Sequence, residues 1–98
     1  MLHDDGKFIQ QDYKEAALWF KKLADKGSDT AQFILGDIYY NGKGVPQDYK
    51  EALVWFKKVA EKGYASAQFS LGIMYSNGQG VRQDYKEGVR AWEKITYT

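Results

Sequence analysis

The stretch Gln47–Gly63, QDYKEALVWFKKVAEKG, is one copy of a pattern that the chain carries three times. Asp12-Tyr13-Lys14-Glu15-Ala16, Asp48-Tyr49-Lys50-Glu51-Ala52 and Asp84-Tyr85-Lys86-Glu87-Gly88 stand 36 residues apart. A period of this length marks an array of supersecondary units, none of which can bury its apolar face without its neighbours. Compared position by position, residues 10–45 and 46–81 share 23 identities in 36. Duplication, not chance, accounts for that.

Local signals make the stretch a helix. Asp48 suits an N-cap, because its carboxylate can accept from orphan amides of the first turn, and Glu51 three residues on completes a capping box. Tyr49, Ala52, Leu53, Phe56, Val59 and Ala60 then fall on one stripe, with Lys50, Glu51, Lys57, Lys58, Glu61 and Lys62 away from it. Gly63 sits where a positive φ ends a helix, and Lys58 and Lys62 favour the negative end of the dipole. Asp12–Gly27 repeats these signals, so a first helix is expected over about Asp12–Lys26.

Around these helices the chain reads as follows. Residues 1–11 align as a remnant of a loop, Gly6-Lys7 with Gly42-Lys43 and Ile9-Gln10-Gln11 with Val45-Pro46-Gln47. After a turn at Gly27-Ser28-Asp29, a second helix is expected over about Thr30–Asn41. It carries Ala31, Ile34, Leu35, Ile38 and Tyr39 at helical spacing, and Gly36 permits close approach of a neighbour. Asn41–Pro46 is a loop, since two glycines and Asn-Gly favour turns and proline disfavours helix at Val45. The cycle recurs with helices over about Asp48–Lys62 and Ser66–Asn77, a loop at Asn77–Val81, and a last helix over about Asp84–Ile95. That last helix departs from the pattern at Gly88, Arg90 and Ala91-Trp92. Arg90 at an apolar position suggests a face meeting water, as a terminal unit requires.

Composition excludes several classes of function. Ninety-eight residues make one small domain. A formal charge of +1 gives no field to draw the whole chain to nucleic acid or to an anionic membrane. With no cysteine there are no disulfides and no thiolate metal sites. No apolar run reaches the roughly 18 residues of a spanning helix, and Met1–Asp5 is not a signal peptide.

Residues able to carry chemistry are few, and each has a plainer role. His3 is the single histidine, so a histidine metal site or a Ser-His-Asp triad lacks its partners. Asp4-Asp5 alone is a poor cation site and reads as solvated charge. Asp12/Glu15 and Asp48/Glu51 are explained as caps without invoking acid–base catalysis. Asn41-Gly42-Lys43-Gly44 lacks the Gly-Lys-Ser/Thr ending or the strand–GxGxxG–helix context of a phosphate cradle. Lys21, Lys22, Lys26 and, one period on, Lys57, Lys58, Lys62 recur on the helix expected to form the convex side, but Glu15, Asp25, Glu51 and Glu61 interleave with them, which describes a solvated face better than a phosphate-binding ridge. Neither a cofactor nor a catalytic set is expected.

Leu35-Gly36, Tyr39, Gly42-x-Gly44-Val45, Asp48-Tyr49, Ala52, Trp55, Ala60 and Gly63 together resemble the Sel1-like repeats, relatives of the tetratricopeptide repeats. The resemblance covers nearly the whole chain. It implies an all-α fold, a right-handed α-solenoid of antiparallel helix pairs with about five helices, divided into a partial unit 1–27, a unit 28–63 and a last unit 64–98. It further implies a bacterial adaptor that assembles proteins without chemistry of its own, with a periplasmic or secreted location common among relatives.

By the same resemblance the first helix of each unit lines a concave groove, here Thr30, Phe33, Asp37, Tyr40 and Asn41, then Ser66, Phe69, Ile73, Ser76 and Asn77. Asp37/Ile73 and Tyr40/Ser76 differ between units, as residues facing a partner are free to do. Phe33/Phe69 and Asn41/Asn77 do not, and the phenylalanines read more readily as core. The expected partner is a peptide or protein surface of unknown identity, with Tyr40 and Phe33 as anchors. The rival is a small-ligand or cell-wall glycan-binding module using aromatic faces. A half unit at the start would also leave Tyr13, Ala16, Phe20 and Leu23 uncovered, which predicts self-association through that face or a missing upstream segment.

Overall fold

A computed structural model describes residues 5–82 and 84–97, the side chains of 5–11, 92 and 94–97 excepted. Met1–Asp4, and with them the readings of His3 and Asp4, lie outside that range. Five helices follow one another: α1 Asp5–Asp25, α2 Asp29–Asn41, α3 Tyr49–Ala60, α4 Ala65–Asn77 and α5 Tyr85–Tyr97. Among the described residues there is no strand. Each helix packs chiefly on its neighbours in sequence, so the molecule grows along one direction, 48 × 27 × 20 Å. This is an α-solenoid.

The helix ends follow from residues that recur. Asp48 caps α3, its Oδ1 accepting from the amide of Glu51 at 3.1 Å, and Asp84 Oδ1 accepts from Lys86 and Glu87 at 3.0 and 3.2 Å. The capping box is only half formed. The amide of Asp48, which Glu51 was expected to satisfy, donates instead to the carbonyl of Tyr39 at 2.9 Å, as that of Asp84 does to Tyr75 at 2.7 Å. These bonds tie each loop back to the helix before it. At the other end Gly63, with φ +89°, donates to Ala60 while Tyr64 donates to Val59, a closed turn that satisfies the last carbonyls of α3. Gly27 and Ser28 do the same for α1.

One boundary differs from the sequence reading. Helix α1 begins at Asp5 and runs through Asp12, so residues 5–11 are helix, not loop remnant, and Asp12 is not a cap. The alignment shows why. Phe8 and Gln10 stand where Gly44 and Pro46 turn the later loop, and neither favours the positive φ of +81° found at Gly44 or breaks a helix as proline does.

The core forms where consecutive units meet. Ala52, Leu53, Phe56, Val59 and Ala60 of α3 are buried with Ala67, Leu71 and Met74 of α4. A second cluster joins Ala24, Ala31, Leu35 and Trp55, with Phe20 and Tyr39 packed on it. Full burial of a side chain such as Phe56 contributes about 1.5–3 kcal/mol. Trp55 lies off the single buried stripe read for this helix, yet it is only 7% exposed. Helix α3 therefore buries two faces, one on its own unit and one on the unit before. Gln32 and Gln68 are buried in equivalent places, each Nε2 donating to a carbonyl at the end of the preceding helix, Ala24 at 3.0 Å and Ala60 at 3.1 Å.

Close approach depends on two missing side chains. A β-carbon at Gly36 would meet the ring of Phe56, and one at Gly88 would meet Ser76 Oγ and, at 2.9 Å, the carbonyl of Gly72. Gly88 thus sets how near α5 comes to α4. Arg90, expected to mark a newly wet face, is exposed, but so are Val54 (46%) and Leu18 (65%) at the same position of the earlier units. That face meets water in every unit.

The uncovered surface of the first unit agrees with the expectation at Tyr13, 37% exposed, and at Leu23, and departs from it elsewhere. Phe20 packs on the second cluster and Ala16 is half-buried, whereas Trp19 is 64% exposed and Leu23 44%. Their counterparts Trp55 and Val59 are at 7% and 0%. The difference arises because Trp55 rests on the preceding pair of helices.

Candidate functional site

The ten residues expected to line a groove all lie on α2 and α4, five on each helix. Their surroundings divide them. Thr30 and Ser66 are exposed in the first turns of the two helices. Phe33 is half-buried, its ring 5.2 Å from that of Tyr64 in a stack and 5.6 Å from Phe56. Tyr40 lies 5.1 Å from the ring of Tyr49, and its hydroxyl donates to Gln79 Oε1 at 2.8 Å, bridging α2 to the loop of the next unit. Asn41 Nδ2 donates to the carbonyl and to Oδ1 of Asp37, at 3.0 and 3.2 Å. On α2, then, the aromatic and amide groups are largely engaged within the protein itself.

The α4 half borders open space. Phe69, Ile73, Ser76 and Asn77 come together with Gly72 and, from α5, Gly88 and Val89 around a groove of about 310 Å³. Phe69, Ile73 and Val89 are 48%, 37% and 52% exposed. Among the described residues no charged side chain lines the groove, and Ser76 and Asn77 give it a polar end. Such a cleft can take apolar side chains and orient them with a few hydrogen bonds.

Val89 escaped the sequence reading because its counterpart Leu53 is a core residue, 8% exposed. Its exposure depends on which helix packs outside it, and a period cannot show that. The Tyr40/Ser76 difference has a packing reason as well. Ser76 faces Gly88, whose counterpart is Ala52, so a small pair replaces a larger one where α5 approaches closely.

The lysines are placed by aromatic rings and one ion pair. Lys22 lies 5.2 Å above Trp19, Lys58 4.5 Å above Trp55 and Lys57 6.0 Å from Tyr75. Lys62 Nζ reaches Asp29 Oδ1 at 2.7 Å, joining the end of α3 to the start of α2. Among the described residues no three His, Cys, Asp or Glu are grouped to hold a metal ion. No helix there is long and apolar enough to cross a membrane.

Comparison with known proteins agrees with this architecture. A sequence model of the Sel1 repeat matches residues 1–28, 29–64 and 65–92. A protective antigen of uropathogenic Escherichia coli strains with an SLR fold, c5321, superposes with a TM-score of 0.78 at 45% identity, over 80% of this chain and 17% of that one. A Sel1 repeat protein from Oxalobacter formigenes gives 0.79 at 35%, over 82% of this chain and 61% of that one. Cysteine rich protein B of Helicobacter pylori shares the fold, with a TM-score of 0.75 at 20% identity over 97% of this chain and 86% of that one. The chain thus spans less than two thirds of the first two relatives. No curated protein matches it.

Proposed function

The chain belongs to the Sel1 repeat family, whose members are generally modules of protein–protein interaction, and on that premise we propose that it is a non-catalytic scaffold gripping a peptide or protein surface along the α2–α4 face. The observation that carries this reading is the uncharged groove between α4 and α5, where Phe69, Ile73 and Val89 leave apolar surface open to water beside Ser76 and Asn77. Contiguous apolar exposure rimmed by polar groups is typical of interaction sites. An amphipathic segment would seat one or two apolar side chains there, with Asn77 and Ser76 fixing its register. Phe33 and Tyr40 shape the neighbouring surface, and the anchoring contacts fall to Phe69 and Ile73. Asp37, Asn41, Thr30 and Ser66 form the polar rim.

Affinity capture with the wild-type chain as bait, run beside a Phe69→Ala, Ile73→Asp double variant and a Tyr40→Ala, Asp37→Ala double variant, tests the reading. A partner lost with the first pair and weakened by the second identifies both groove and ligand. A partner held equally by all three baits overturns the assignment. If captured proteins are indifferent but a soluble oligosaccharide perturbs the groove resonances, the site is a glycan module instead.

A further inference from the structure

Trp55 and Ala91 occupy the same place one period apart, and the second place is a hole. Trp55 is seated against Phe20, Ala24, Ala31, Leu35 and Tyr39. Moving each residue on by 36 gives Phe56, Ala60, Ala67, Leu71 and Tyr75, the same types at every position. Ala60, Leu71, Tyr75 and Ala91 line an open pocket of about 240 Å³ between α3, α4 and α5. This socket thus keeps three of the five equivalents in its lining, with alanine in place of the indole, while Phe56 and Ala67 are buried, 2% and 0% exposed. Meanwhile Trp19, the remaining copy of the same residue, stands 64% exposed with Lys22 over its ring, as Lys58 lies over Trp55.

We infer that the pocket at Ala91 receives Trp19 of a second copy of this chain, so that copies associate head to tail. Complementarity is written in the chain itself, since the internal contact of Trp55 shows what side chain this lining accepts. The charges around the two parts are compatible. Glu15 and Lys22 flank Trp19, and the pocket rim carries Lys57 and Glu61, of opposite sign to each in turn, beside Arg90 and Glu87, which pair with each other at 3.4 Å. Neither side needs to bury a like charge, and at an exposed rim these pairs set orientation more than strength. The pocket opens on the side of α4 away from Phe69 and Ile73, so this contact is independent of the groove proposed above. A single aromatic anchor makes a small interface of the weak, transient class. Because donor and acceptor are different surfaces, the contact is heterologous and leaves a free Trp19 and a free socket at the two ends.

Sedimentation of the full chain from micromolar to millimolar concentration tests this. Mean mass should rise with concentration for the wild type. Trp19→Ala should weaken association by more than about tenfold, as loss of a buried aromatic anchor does. Ala91→Trp, which plugs the socket from within, should do the same, with Ala91→Phe as a second plug whose fold is checked by circular dichroism. Neither Trp19→Ala nor Ala91→Trp should associate alone, yet mixed in equal amounts they should form one discrete heterodimer, the first supplying the socket and the second the tryptophan. A monomer at every concentration, or undiminished association of both plugged variants, overturns the proposal. So does a mixture that stays monomeric.

Discussion

Phe56 lies against Gly36 so closely that a β-carbon at residue 36 would stand 2.8 Å from Cδ1 and Cε1 of its ring. The ring is 2% exposed and enclosed by α2, α3 and α4, so it has nowhere to move. Alanine at 36 would gain about 1 kcal/mol of helix propensity over glycine and lose about 1–3 kcal/mol to overpacking. We expect Gly36→Ala to be net destabilising. In a Phe56→Leu background the same change should cost less, and a double-mutant cycle read by urea unfolding measures the coupling.

The two units hold chemically equal tryptophans in unequal surroundings, and stability should show it. Trp55→Ala should cost about 3–5 kcal/mol, the usual loss for a large buried aromatic. For a domain of this size that is a large share of the whole. Trp19→Ala should stay within about 0.5 kcal/mol of wild type, as exposed substitutions do. Thermal melts at low protein concentration distinguish them, and equal effects would contradict the burial described.

Asp12 and Asp48 sit at the same place in the repeat but do different work. Asp48→Ala removes the bond to the Glu51 amide and should cost about 1 kcal/mol. Asp12 lies inside α1, so Asp12→Ala should be neutral or slightly stabilising through better helix propensity. Had the first helix begun at Asp12, both changes would destabilise alike. Chemical denaturation of the two variants decides between these.

Gly63 and Gly44 separate strain from collision. Both have positive φ, +89° and +81°, but a β-carbon at 63 meets nothing within 4 Å, whereas one at 44 would run into the backbone of Tyr13 and Lys14. Gly63→Ala should cost about 1–2 kcal/mol, the left-handed penalty alone. Gly44→Ala should cost clearly more and disturb the contact between units. Hydrogen exchange at the amides of α1 should rise in the second variant and not in the first.

Much of the fold was legible because packing inside a unit is local. The Asp-Tyr-x-x-Ala helix, the turn glycines and the period of 36 each state their structure within a few residues. What was not legible depends on neighbours. Trp55 looked like a residue off the apolar stripe, because the surface that buries it belongs to α1 and α2. The amide of Asp48 was assigned to Glu51, since a cap pattern cannot reveal that Tyr39 is nearer. The residues expected to line a groove stand on α2 and α4, but the sequence does not say which of them are already occupied. Tyr40 finds Gln79 thirty-nine residues away, and no local pattern encodes such a bond. Helix α1 could have been read correctly, since Phe8 and Gln10 lack the glycine and proline that turn the later loop.

The glycine loops act as gauges. Gly44 rests on the backbone of Tyr13, and Gly80 on that of Tyr49, with a β-carbon there meeting carbonyl atoms at 2.8 Å. Each loop is thus measured against the unit before it, and its length sets how one unit is seated on the next. One residue inserted between Gly42 and Asp48 would leave its own helices intact and tilt everything beyond them. Loop length, more than any helix face, is where such an array can be bent to fit a differently curved partner.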